Sequence, residues 1–248
     1  MSIYILWLYL VYTRNILILG EDMKNGALRG IIQFILALAV VIFLEKFYFT
    51  ILGKLKIFPS GNMYNVSVLI KYLIEMIVTV IIYHGEIFAG KSRFNKSLLS
   101  SSIIALVTFI VMVVFTLILE KVLHGFGIKA SQNFINYFAS KMTFESAFEM
   151  IINCILNPCL YTSIFVLGIS NIISKEYLGM LVSGIVYGVF ILFMMNNLHL
   201  NSFLSIIIPM VNIIALSYLY KSTGNIYTCF ITFILYNLCG GLLLSYIF

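Results

Sequence analysis

Apolar residues run along this chain in long, nearly unbroken stretches, at 3–20, 28–52, 62–83, 98–122, 147–168, 177–195, 199–220 and 225–247, parted by short polar connections. A helix that crosses a bilayer needs roughly 20 consecutive apolar residues, and each stretch is of that order. None shows the roughly ten-residue inside–outside alternation of a membrane β-barrel strand. The pattern predicts an all-α fold, a polytopic integral membrane helical bundle of about eight transmembrane helices. The first stretch has no basic leader and no small-residue cleavage site, so it reads as a retained helix, interrupted at Arg14 and Asn15. Little length is left between the stretches, and residues 1–248 read as one transmembrane domain with no sizeable soluble part.

The breaks are legible too. Phe58-Pro59-Ser60-Gly61-Asn62 separates the second and third spans, because Pro and Gly together end a helix. His84–Lys96 is the most polar short connection. The longest, His124–Ser146, carries Phe134, Tyr137 and Phe138 beside Lys129 and Lys141. It reads equally as an interfacial aromatic segment or as a loop with a short helix.

Composition strengthens the membrane reading. Hydrophobic residues make up 62% of the chain and charged residues 10%, against about a quarter charged in soluble domains. The net charge of +6 comes from lysines and arginines dispersed in the connections, a distribution suited to lipid headgroups. No basic–aromatic repeat or glycine-rich phosphate loop points to nucleic acid or nucleotide. Cys154, Cys159, Cys229 and Cys239 fall inside predicted spans without a C-x-x-C pattern, so they read as packing thiols. His84, His124 and His199 lie far apart with no ligand spacing, and neither a metal nor another cofactor is expected.

Within the spans, ionisable and amide groups are the candidates for chemistry, because each is costly in hydrocarbon. Lys71 and Glu75 stand four apart and are expected to pair with each other. Glu149, Asn153 and Asn157 form a polar stripe at i, i+4 and i+8. The stripe reads either as the lining of a watery cavity or as a headgroup-level glutamate above asparagines that bond neighbouring helices. Pro158 and Pro209 lie inside apolar stretches and are expected to kink their helices. Asn196, Asn197, His199 and Asn201 form a short polar link that makes the flanking helices antiparallel neighbours.

One further pattern carries a resemblance. Leu219-Tyr220-Lys221-Ser222-Thr223-Gly224-Asn225 runs into an apolar helix with Asn237, and residues 145–245 resemble the core of the CPBP (CAAX protease and bacteriocin-processing, or Abi) family of intramembrane proteases. That family carries E-E-x-x-x-R, F-x-x-x-H and H-x-x-x-N. Here Asn157 and Pro158 stand for the glutamates, Thr162 for the arginine, Ile191 for the first histidine and Phe233 for the second. The aromatic positions Tyr161 and Tyr187 and the final Asn237 are kept. The resemblance implies a cavity lined by Glu149, Asn153, Asn157, Tyr161, Thr162, Tyr187 and Asn237, with no catalytic residue. Peptide hydrolysis needs a base or a metal to activate water, and Asn, Thr and Tyr are not bases near neutral pH.

The expectation is therefore a non-catalytic multi-pass protein of a bacterial cell membrane. It would bind a peptide, a lipid or a membrane protein partner, in bacteriocin self-immunity or in peptide maturation and export. Membrane lipids are expected partners and nucleic acid is not. Two alternatives stand beside it: an active intramembrane peptidase with Glu149 as a displaced base, and a membrane subunit of an export or transport complex.

Overall fold

The computed structural model describes residues 26–55, 62–96, 98–125, 144–173, 175–195 and 204–247. The predicted span at 3–20, the Pro59 turn, most of the His124–Ser146 connection and the Asn196–Asn201 link lie outside the described residues.

Among the described residues eight helices follow in order: α1 (Gly26–Lys54), α2 (Asn62–Ile82), α3 (His84–Lys96), α4 (Leu98–Gly125), α5 (residues 144–172), α6 (Glu176–Met194), α7 (Ile207–Thr223) and α8 (Ile226–Ile247). No strand occurs among the described residues. Five helices, α1, α2, α4, α5 and α6, are long and apolar enough to cross a membrane. The chain is thus helical and multi-pass in architecture. The polar connection His84–Lys96 differs from expectation, being itself the helix α3.

Burial is inverted relative to a water-soluble bundle. Ile103, Leu106, Val107 and Ile110 of α4 are exposed, while Lys71, Glu75, Thr79, Asn212, Ser217, Thr232 and Asn237 are buried. Hydrocarbon solvates the apolar outside, and polar groups gain only by facing one another inside. The apolar core gathers where α5, α7 and α8 meet, with Leu160, Phe165, Ile213, Leu216 and Cys229 fully enclosed.

Two devices bring helices close. On α6, Gly184 and Gly188 are four apart and face α7. A Cβ on Gly184 would lie 2.5 Å from Cγ1 of Ile214 and 2.8 Å from the carbonyl oxygen of Met210, and one on Gly188 would lie 2.5 Å from Cγ of Met210. Small residues at this spacing let membrane helices approach to backbone contact. Between α1 and α5, a Cβ on Gly30 would lie 3.0 Å from the Asn171 backbone. Further along, Phe34 packs edge-on against Phe165 with ring centroids 6.1 Å apart. The contacts run in opposite sequence directions, so α1 and α5 are antiparallel.

The two prolines behave differently. Pro158 sits in a short α-helical piece, Asn157–Tyr161, flanked by π-helical turns at Ile152–Leu156 and Thr162–Leu167. Proline has no N–H to donate, and its ring crowds the preceding turn. The wider turns take up that misfit: the Asn157 N–H donates to the Ile152 carbonyl, five residues back. The Ser163 hydroxyl donates to the Cys159 carbonyl at 2.8 Å. Pro209, by contrast, is the third residue of α7. A turn at Ile206 parts residues 204–205 from α7, and first-turn N–H groups have no partner within a helix, so Pro209 removes no bond from α7 itself.

The turn between α7 and α8 is built from ordinary helix punctuation. Gly224 ends α7 in the left-handed region (φ 63°, ψ 19°), with its N–H on the Tyr220 carbonyl at 2.7 Å. Only glycine adopts this conformation without a Cβ penalty. The Asn225 side-chain oxygen then accepts the Tyr227 N–H at 3.0 Å and caps the start of α8.

Candidate functional site

The site is built on α2. Lys71, Glu75 and Thr79 are buried at four-residue intervals, and Tyr83 extends the same stripe just past the helix. Such spacing keeps side chains on one helix face, here turned inward against α1 and α5. The Lys71 ammonium reaches across to α1 and meets Oε2 of Glu45 at 2.6 Å. It also lies 4.2 Å from the Tyr72 ring centroid. Glu75 is 0% exposed, and neither carboxyl oxygen has a hydrogen-bond partner. The expected Lys71–Glu75 pair is therefore replaced by Lys71–Glu45. The crossing of α1 over α2 presents a second carboxylate to the lysine, which spacing along one helix does not reveal.

Tyr72 stands between this ion pair and α5, close to Glu45 and Asn157. Beside it opens a cavity of about 570 Å³. Its polar side is Glu45, Lys46, Tyr72 and Tyr161, and its apolar wall is Phe190, Ile191, Met194 and Met195 near the end of α6. The volume lies in the range of about 300–1,000 Å³ typical of small-molecule sites. Lys46 is exposed at the rim, its ammonium 5.7 Å from the centroid of the outward Phe193 ring.

The residues singled out from the sequence divide into four sets. Tyr161 lines the cavity, its ring centroid 5.8 Å from Phe190 and 5.5 Å from Tyr187. Asn153, Asn157 and Asn237 come together: Asn157 donates to the Asn153 side-chain oxygen at 3.1 Å, and Asn237 donates to the Asn153 carbonyl at 3.5 Å. Tyr187 is buried behind the wall against Phe165, at 4.9 Å between centroids, and Thr162 is fully buried with its hydroxyl unpartnered. Glu149 stands apart, exposed on the early turns of α5. The π turn over Ile152–Leu156 separates it from Asn157, so the stripe read at α-helical spacing does not carry through.

Sequence reasoning missed Glu45 and Tyr72, and it took Glu75 for a partner of Lys71. The signal for Glu75 was present, since Lys71, Glu75, Thr79 and Tyr83 hold their spacing better than the stripe on α5 does. Nothing in the sequence marks Glu45 as their neighbour.

Two smaller polar groups lie elsewhere. The Thr116 and Tyr236 hydroxyls are 2.7 Å apart between α4 and α8. Arg29 and Asn171 both approach Oε1 of Glu86, at 3.9 and 3.4 Å, and tie α1 and α5 to α3. Among the described residues no three His, Cys, Asp or Glu side chains gather as metal ligands.

Fold and site together define the class: a multi-pass helical membrane protein with a charged cluster buried beside a half-open cavity. No family model, curated protein or solved structure matches the chain.

Proposed function

We propose that the protein is a non-catalytic, CPBP-like membrane protein that binds a peptide or a lipid in the cavity between α1, α2, α5 and α6. One observation carries this reading. The carboxylate facing the cavity, Glu45, is already held by Lys71, while the rest of the lining is the Lys46 ammonium at the rim, two tyrosines and apolar side chains. Such a surface can orient a ligand, but it offers no free base to activate water. The resemblance is supported by where its three signature regions lie. Ile191 is in the cavity wall, Asn157 is one tyrosine away from it, and Asn237 reaches Asn157 through Asn153. The exposed position of Glu149 favours binding over hydrolysis. Self-immunity to a bacteriocin, or help in peptide maturation and export, is the setting the resemblance suggests.

The test is photocrosslinking in native membranes, with a photoreactive side chain at Ile191 inside the cavity and at lipid-facing Ile185 as control. A discrete adduct at 191 and not at 185 is the expected result. Purified protein in liposomes is expected to cleave no peptide. Specific cleavage that disappears in Glu45→Gln would overturn the reading.

A further inference from the structure

The buried cluster is unbalanced in a way the fold does not explain. Among the described residues, one buried lysine, Lys71, faces two carboxyls, Glu45 and Glu75. Lys46 is exposed at the cavity rim, 5.7 Å from the Phe193 ring centroid, and the charges that act on Glu75 are those of Glu45 and Lys71. A buried charge without a partner costs several kcal/mol or more, so the cluster needs one further positive charge. Either Glu75 holds a proton or a cation enters from the cavity. Glu75 lies four residues from Lys71 on the same helix, within reach of a lysine that lets go of Glu45. The groups around Glu75 from α1, α2 and α5 are Glu45, Lys71, Tyr72 and Tyr161. The cavity beside them offers aromatic faces, Tyr72, Tyr161 and Phe190, which attract cations, and the methionines of α6, which suit an apolar body.

We propose that the cavity is a site for an organic cation with an apolar body: the cation takes the place of Lys71 on Glu45, Lys71 turns to Glu75, and one proton leaves Glu75 for each cation bound. The charge balances at each stage. Before binding, Glu45 is paired with Lys71 and Glu75 is neutral. Afterwards, two carboxylates face two cations. This inference rests on the cavity being a binding site and adds the charge of its ligand and the coupling to a proton.

Tetraphenylphosphonium is the probe, titrated into the full chain in phosphatidylcholine nanodiscs, with neutral triphenylphosphine oxide as comparator. The cation is expected to bind saturably, with affinity rising about tenfold per pH unit, as release of one proton requires. Glu45→Gln is expected to weaken binding at least tenfold. Because that variant breaks the tie between α1 and α2 and risks misfolding, Glu75→Gln is the decisive one. It keeps the shape of a neutral carboxyl, and it should bind more weakly with no pH dependence. Equal binding of the neutral comparator would leave a binding cavity but overturn the cation site. Binding of the cation that does not change with pH in the unmodified protein, or that stays pH-dependent in Glu75→Gln, would overturn the exchange. Failure of the cation to bind would overturn both.

Discussion

The α6–α7 seam and the α1–α2–α5 junction share the wall of one cavity and are built in opposite ways. At the seam, Gly184 and Gly188 remove side chains so that backbone meets side chain at van der Waals distance, with Met210 and Ile214 filling the surface opposite. At the junction, large and charged side chains hold the helices apart around Lys71, Glu45 and Tyr72, and the space they leave is the cavity. In a bilayer there is little hydrophobic drive between helices, so association rests on close packing or on polar bonds. This bundle uses one at each place. Close packing joins α6 to α7, and a buried ion pair joins α1 to α2.

The sharpest way to break the comparison is to remove a charge at the junction. Glu45→Gln breaks the ion pair that ties α1 to α2; breaking a buried pair costs about 3–5 kcal/mol, less whatever Lys71 regains by turning to Glu75, and the loss is read as a fall in the unfolding midpoint in detergent. The double variant Glu45→Gln with Lys71→Met should recover most of that loss. If the single variant is as stable as the parent, the pair does not hold the junction. Next comes the seam. Gly184→Ala forces a methyl against the Met210 carbonyl and Ile214, and overpacking of this kind costs about 1–3 kcal/mol. Gly26→Ala, with nothing within 4 Å of its Cβ, is the control and should show no loss. The α7–α8 turn should respond less: Gly224→Ala places a Cβ in the left-handed region, at about 1–2 kcal/mol. The smallest effect belongs to Asn237→Ala, which removes a long 3.5 Å contact to Asn153. Polar bonds between membrane helices average about 0.6 kcal/mol, and an intact fold with unchanged detergent elution is expected.

Much of the fold was legible in the sequence because span length and apolarity are local properties. α1, α2, α4, α5 and α6 fall where apolar stretches of the needed length fall. The helix α3 was not legible as a helix, since a polar connection and a polar helix differ little in composition. Gly184 and Gly188 are visible at helical spacing, but the seam they make with Met210 and Ile214 depends on which helix they face, and that is not a property of the stretch alone. The site was the least legible part. Asn153, Asn157 and Asn237 do meet, but the charged partner that matters to Lys71 comes from another helix. Pairing across helices depends on crossing geometry, which no single-helix spacing contains. The turn Thr223-Gly224-Asn225 is accounted for by capping alone, as a left-handed glycine followed by an N-cap asparagine.

The two π turns of α5 have a consequence for length changes in this chain. A π turn is an α-helix carrying one extra residue, so α5 behaves as a helix with an insertion on each side of Pro158. Removing one residue between 152 and 156 would let the first turn relax to ordinary α-helix instead of breaking it. Everything on its N-terminal side would then swing by about 100°, the rotation of one residue. Glu149 would change faces while Asn157 and Tyr161 stayed where they are. In this segment a single-codon deletion, usually the more damaging event in a buried helix, is a way to turn a surface carboxylate toward a new neighbour while leaving the cavity wall in place.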